Sequence, residues 1–144
     1  MEPLEASNDE AQDARYVVLI VEDDFLIRWP AAEYLRDSGY RVIEAGTVGE
    51  AMVVFSSGTH VDVVFSDINL APQVTGYAFA RWLGDNHPHI PVLLTSGDAT
   101  ASPRTHIGIP FIPKPYALAE VDERIKELLA RGRARVSAGV PSQL

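Results

Sequence analysis

VVFSDINL, residues 63–70, is the stretch that decides the fold. Val63 to Ser66 read as a strand buried on both faces, and then an aspartate follows. Carboxylates are rarely buried without a partner. Asp67 is therefore either a polar stop at the end of a strand or a group placed there to react. What the neighbouring strands carry decides between the two.

The same pattern recurs along the chain. YVVLIV (16–21), RVIEA (41–45), VDVVFS (61–66), PVLLTS (91–96) and IPFIP (109–113) are short apolar, β-branched runs of strand length. Helical patterns alternate with them. FLIRWPAAEYLRDSG (25–39) sets Leu26, Trp29, Ala32 and Leu35 at helical spacing, with Gly39 as the stop and Asp24 as the N-cap. Thr47 and Glu50 have capping-box spacing at the head of a helix reaching Gly58. GYAFARWLGDN (76–86) puts Tyr77, Ala80 and Leu83 on one side. ALAEVDERIKELLAR (117–131) puts Leu118, Val121, Ile125 and Leu128 on a core face. The two tryptophans, Trp29 and Trp82, read as packing residues.

Strands that are apolar throughout need cover on both faces, which means a parallel sheet between helices. Right-handed crossovers then give an open, doubly wound α/β domain of five strands. Ligands in such sheets sit at the carboxyl ends of the strands, near the switch in strand order.

The 144 residues fit one domain, and a hydrophobic content of 47% fits a real core. Three segments are expected: an acidic disordered tail over 1–14, one domain over 15–131, and a disordered tail over 132–144. No apolar run is long enough to span a membrane. The first fifteen residues carry five acids and one arginine and lack the apolar stretch of a secretory signal. There are no cysteines, so disulfides, thiolate metal sites and cysteine nucleophiles are excluded. This composition suits a cytoplasmic protein. The net charge of −8 lies mostly in the domain and argues against nucleic-acid binding there. Arg131, Arg133 and Arg135 read as a solvated helix end.

The strand ends carry the chemistry. Glu22, Asp23 and Asp24 follow the first strand, and Asp67 and Asn69 follow the third. Thr95–Ser96 close the fourth, and Lys114–Pro115 follow the fifth. A parallel sheet gathers these ends at one edge. Crowded carboxylates need a compensating cation. A hard divalent ion such as Mg²⁺ fits, with Mn²⁺ as the alternative, and would recruit a phosphoryl group. Lys114 supplies a second positive charge and Ser96 a hydroxyl. A carboxylate can take a phosphoryl group as an aspartyl phosphate.

With IVEDD, SDINL, LLTSG and PFIPKPY in this order, each at a strand end, the chain resembles a response-regulator receiver domain of two-component signalling over residues 15–130. The resemblance implies a flavodoxin-like sheet of order 2-1-3-4-5. It makes Asp67 the phosphoacceptor and implies that Glu22, Asp23, Asp67 and the backbone carbonyl of Asn69 hold Mg²⁺. Lys114 would contact the phosphoryl group and Ser96 would be the hydroxyl switch. Phe111 falls at the aromatic switch position, with plain packing equally open to it. The Lys114–Pro115 peptide would be cis. The phosphodonor would be a sensor histidine kinase or phosphotransfer protein. Output would pass to a further protein target by a monomer or weak homodimer, since the chain stops soon after its last helix. Such a protein is not an enzyme beyond its own phosphorylation and dephosphorylation. Two other functions compete. A Mg²⁺-dependent phosphohydrolase would need an acid at position 69, where Asn69 stands. A pseudo-receiver would serve as a binding module alone.

Three features depart from the family pattern. Gly76 comes late after Asp67, which widens the loop and brings Gln73 or Thr75 toward the phosphoryl site. Ser96 and Lys114 are unusually close, and GDATASPRTHIGIPFIP (97–113) is poor helix-forming sequence, so the fourth helix should be short, irregular or missing. Pro30 lies inside the first helix and removes its hydrogen bond to the Leu26 carbonyl.

Overall fold

The computed structural model describes residues 14–70, 75–97 and 108–139, with the side chains of 133–139 left aside. The apolar runs form five parallel strands: β1 (Val17–Val21), β2 (Arg41–Ala45), β3 (Val63–Asp67), β4 (Val92–Ser96) and β5 (Phe111–Pro113). Their order is β2-β1-β3-β4-β5, as expected. Every residue of β1 and β3 is buried, which is why these runs show no polar alternation. β2 and β5 are the edges. The chain leaves β1 for one side of the sheet and later returns to the other, so the switch point lies between β1 and β3.

Among the described residues four helices cover the sheet: α1 (Phe25–Asp37), α2 (Val48–Ser56), α3 (Gly76–Asn86) and α4 (Leu118–Gly139). On one face Val18, Ile20, Val63, Phe65, Leu93 and Ile112 pack against Ala31, Ala32 and Leu35 of α1 and Val121, Ile125 and Leu128 of α4. On the other, Leu19, Val21 and Val64 pack against Ala51 of α2 and Phe79 and Leu83 of α3. Trp82 packs on this second core, with its ring centroid 5.7 Å from that of Phe55.

The N-caps are made by side chains. Asp24 accepts from the Leu26 amide at 2.9 Å and Thr47 from the Glu50 amide at 3.0 Å. Glu50 reaches back to the Gly46 amide, one residue before the position a capping box would give. Thr75 caps α3 by accepting from the Ala78 amide at 3.1 Å, so its hydroxyl serves the helix.

Several expectations need correction. Leu26 and Trp29 do not face the core: they are 79% and 50% exposed. The stripe they suggested is displaced around α1, because Ala31, Ala32 and Leu35 form the buried face. Two adjacent alanines let α1 approach the sheet closely, and the bulky residues are turned outward. Pro30 sits within α1, exposed. The last helix runs eight residues beyond Arg131, to Gly139, where a tail was expected. The segment 98–107, where a short or irregular helix was expected, lies outside the described residues, as do Gln73 and the first thirteen residues.

A long-range polar contact ties the far end of this core. Tyr40, after α1, donates its hydroxyl to Asp122 Oδ1 on α4 at 2.8 Å, and Lys126 lies 3.3 Å from Asp122 Oδ2. Burial and the adjacent carboxylate hold the Tyr40 phenol well above its ordinary range, so it stays a donor. Tyr40→Phe leaves a buried carboxylate oxygen short of a partner. The expected loss is about 1–3 kcal/mol of unfolding free energy, read in urea as a lower midpoint at unchanged slope.

Candidate functional site

The carboxyl ends of β1, β3, β4 and β5 meet at one edge. Parallel register puts side chains at paired positions on the same face. Phe65 pairs with Leu93 and Asp67 with Thr95, and Thr95 pairs with Ile112. Asp67 therefore continues the line of Val63 and Phe65 on the α1/α4 face, and Lys114 lies two residues past Ile112. Glu22 lies two residues past Ile20 on the same side.

The result is a compact charged cluster. Lys114 Nζ lies 2.7 Å from Glu22 Oε1 and 3.0 Å from Asp67 Oδ2. Glu22 and Asp67 are only 3% and 5% exposed, whereas Asp23 is open to solvent. One carboxylate oxygen from each of Glu22, Asp23 and Asp67 falls within 4.8 Å of the others. That spacing allows all three to ligate one ion. Backbone amides complete the anchoring. Asn69 N donates to Asp67 Oδ1 at 3.0 Å, and Asp24 N donates to Glu22 Oε2 at 3.2 Å.

The charges do not balance. Burial pushes the Glu22 carboxyl up, the hydrogen bond from Lys114 pulls it down, and the Asp67 charge raises it again; it titrates at about 7. Burial pulls the Lys114 ammonium down, but its bonds to Glu22 and Asp67 outweigh that and hold it above the ordinary lysine range. Burial, with Glu22 nearby, raises the Tyr116 phenol to about 12, so it stays neutral beside the cluster. A single ammonium faces three carboxylates, and the site calls for a hard cation with oxygen ligands. A partly buried carboxylate held by lysine and amide donors is also a competent phosphoryl acceptor.

A family profile described as the response regulator receiver domain matches residues 18–126. The chain belongs to the response-regulator receiver family. It is similar to the sensor kinase CckA of Brucella abortus (strain 2308), 32% identical over 119 residues that cover 79% of this chain and 12% of that protein. It is also 32% identical over 120 residues to the transcriptional regulatory protein PmrA of Pectobacterium parmentieri, covering 81% of this chain and 53% of that one. The chain thus spans a fraction of either relative's length. Among solved structures, a CheY-like receiver domain protein from Methanospirillum hungatei JF-1 matches with a TM-score of 0.77 at 25% identity, covering 85% of this chain and 99% of that chain.

The fold brings Glu22, Asp23, Asp67 and Lys114 into one cluster, while Asp24 caps α1 and Ser96 meets Asn69. The Lys114–Pro115 peptide is cis. Ser96 and Thr95 take opposite faces. Thr95 lies on the Asp67 face, buried, with no hydrogen-bond partner for its hydroxyl among the described residues. The Ser96 hydroxyl instead meets the Asn69 side chain, whose Nδ2 donates to it at 3.0 Å. Phe111 pairs with Leu94, shares the Ser96 face, and packs on the small cluster of Ile68, Ala80 and Leu94.

Three residues escaped the sequence reading. Arg28 Nη1 donates to the Glu22 carbonyl at 2.9 Å while its Nε meets Glu44 Oε1 at 3.0 Å. No motif marks it. The Asn69 side chain was passed over for its carbonyl. Gly76 was noted for its late position after Asp67 and as the start of a helix, but not for its contacts: its amide donates to the Ile68 carbonyl at 2.7 Å. A Cβ there would overlap the Asp67 carbonyl oxygen and lie 2.7 Å from Ile68 Cα. The backbone after Asp67 has no room to yield. Gly76→Ala should therefore cost about 1–3 kcal/mol in denaturant unfolding and weaken divalent-ion binding in the same protein.

Proposed function

We propose that Asp67 accepts a phosphoryl group from the phosphohistidine of a sensor kinase or phosphotransfer protein, and that the receiver then signals through protein contacts. The observation that carries this reading is the Lys114 ammonium bridging Glu22 Oε1 and Asp67 Oδ2 beside a third carboxylate. Glu22, Asp23, Asp67 and the Asn69 carbonyl would hold Mg²⁺. When bound, that ion supplies positive charge for the phosphoryl oxygens.

An Asp67 carboxylate oxygen attacks phosphorus, the P–N bond breaks, and the imidazole leaves with the electron pair. Lys114 neutralises charge on the transferring group, and the Ser96 hydroxyl donates to a phosphoryl oxygen. Position 69 carries an amide rather than a general acid, which disfavours a phosphohydrolase. The donor's docking surface is the exposed start of α1. Phe25 and Trp29 stack with centroids 6.3 Å apart, Leu26 projects beside them, and Arg28 lies 5.4 Å from the Phe25 ring centre. This apolar patch begins just past the Glu22–Asp23 pair.

Intact mass after incubation with Mg²⁺ and a small phosphodonor is the direct test. One phosphate is expected on the wild type and none on Asp67→Asn. Absence of phosphate from both, even with a phosphohistidine donor, overturns the reading. Trp29→Ala should slow transfer from a phosphohistidine protein and leave the small-donor rate unchanged.

Glu22 must lose its proton to take the ion. Mg²⁺ affinity should fall as the pH drops below about 7, approaching roughly tenfold per unit for one proton. Isothermal titration between about pH 5.5 and 8 measures it. The raised pKa means that the ion-free fold binds this proton more tightly than the unfolded chain, whose reference value is 4.5. Stability from this group is therefore fully present below that value and is lost as pH rises through about 7. Added Mg²⁺ should offset the loss.

A further inference from the structure

Asn69 touches both halves of the machinery. Its backbone amide donates to Asp67 Oδ1 at 3.0 Å, and its side-chain Nδ2 donates to Ser96 Oγ at 3.0 Å. These contacts lie on different faces of the sheet end. Asp67 extends the α1/α4 face of β3, while Ser96 lies on the opposite face of β4. Asn69, in the turn beyond β3, joins the two.

We infer that the Asn69 side-chain amide is a positioning residue that aims the Ser96 hydroxyl at a phosphoryl group on Asp67. The inference rests on the phosphoacceptor reading and deepens it. A serine hydroxyl has one proton and two acceptor lone pairs. The Asn69 amide is a donor, so it occupies a lone pair and holds the oxygen. The Ser96 proton is directed elsewhere. A hydroxyl that accepts one hydrogen bond also becomes a better donor in the next. A dianionic phosphoryl group brings only acceptor oxygens, which is the partner such a hydroxyl suits. The Asn69 backbone amide fixes Asp67 in the same turn, so the geometry of acceptor and hydroxyl is set by one residue. Asn69 thus acts on the phosphoryl group through Ser96.

A double-mutant cycle on the full chain tests this, using beryllofluoride with Mg²⁺ as the phosphoryl mimic and fluorine NMR as the readout. Asn69→Ala keeps the backbone amide and carbonyl and removes only the side-chain donor. It should weaken beryllofluoride binding about three- to tenfold, the range for one lost hydrogen bond. In a Ser96→Ala background the same change should have no further effect. Mg²⁺ affinity without beryllofluoride is measured for all four proteins, and the coupling between the two substitutions is taken after any change in that affinity is subtracted, which separates aiming from general damage to the site. An equal loss in both backgrounds overturns the proposal, because Asn69 would then act independently of Ser96. So does a loss that follows Mg²⁺ affinity, or no loss at all. These outcomes leave the phosphoacceptor reading standing. Failure of the wild type to bind beryllofluoride sinks that reading and this one together.

Discussion

Lys114 reaches across the end of the sheet to place one ammonium against two buried carboxylates, and the functional edge depends on that contact. Two carboxylates this inaccessible need a nearby counter-charge. Their other partners are backbone amides from Asp24 and Asn69. The ammonium itself is held by a strand only three residues long, and the Lys114 amide donates to the Ser96 carbonyl at 2.9 Å. The short edge strand β5 therefore has a definite task. It carries Lys114 to Asp67 and continues the hydrogen-bond ladder past Ser96.

The strand ends were legible because each is a local signal. An apolar run stops and a charged residue follows at the first, third and fifth strands, and a hydroxyl closes the fourth. The parallel sheet turns those local stops into one cluster, so Glu22, Asp67, Ser96 and Lys114 could be gathered before any geometry was known. The helix faces were less legible. In α1, Leu26 and Trp29 compete with Ala31 and Leu35 for the inward direction, and spacing alone favours neither. The buried face falls on Ala31, Ala32 and Leu35, where the two alanines allow close approach to the sheet, and Leu26 and Trp29 are left outside it. The contacts of Arg28 and Gly76 were invisible for a different reason. Both act on backbone atoms, the Glu22 carbonyl and the Asp67–Ile68 peptide, and a sequence does not show which carbonyl a side chain or a missing Cβ will face.

The sheet also separates two kinds of polar residue at its working end. The α1/α4 face carries the charges, Glu22, Asp67 and Lys114. The opposite face carries Ser96 and Phe111, beside the cluster of Ile68, Ala80 and Leu94. Chemistry on the first face can alter packing on the second only through residues that contact both. Asn69 is such a residue among those described, and Ile68 is another by position, since its amide bonds to the Thr95 carbonyl at 2.8 Å and its side chain lies in the second-face cluster. On the proposed phosphoacceptor reading, the turn after Asp67 is where a change of charge would become a change of shape.

The charge deficit bears on the proposed chemistry at this edge. Three carboxylates already exceed what one lysine can neutralise, and Glu22 responds by holding a proton up to about pH 7. A phosphoryl dianion arriving at such a site would meet net repulsion. Two of the three Lys114 donors already go to Glu22 and Asp67. Glu22, Asp23 and Asp67 would hold a divalent cation, which would supply the missing positive charge and leave Lys114 able to turn its donors to incoming oxygens. On the proposed phosphoacceptor reading, Lys114 would hold the two buried carboxylates by itself and would contact the phosphoryl oxygens once a cation shared that charge.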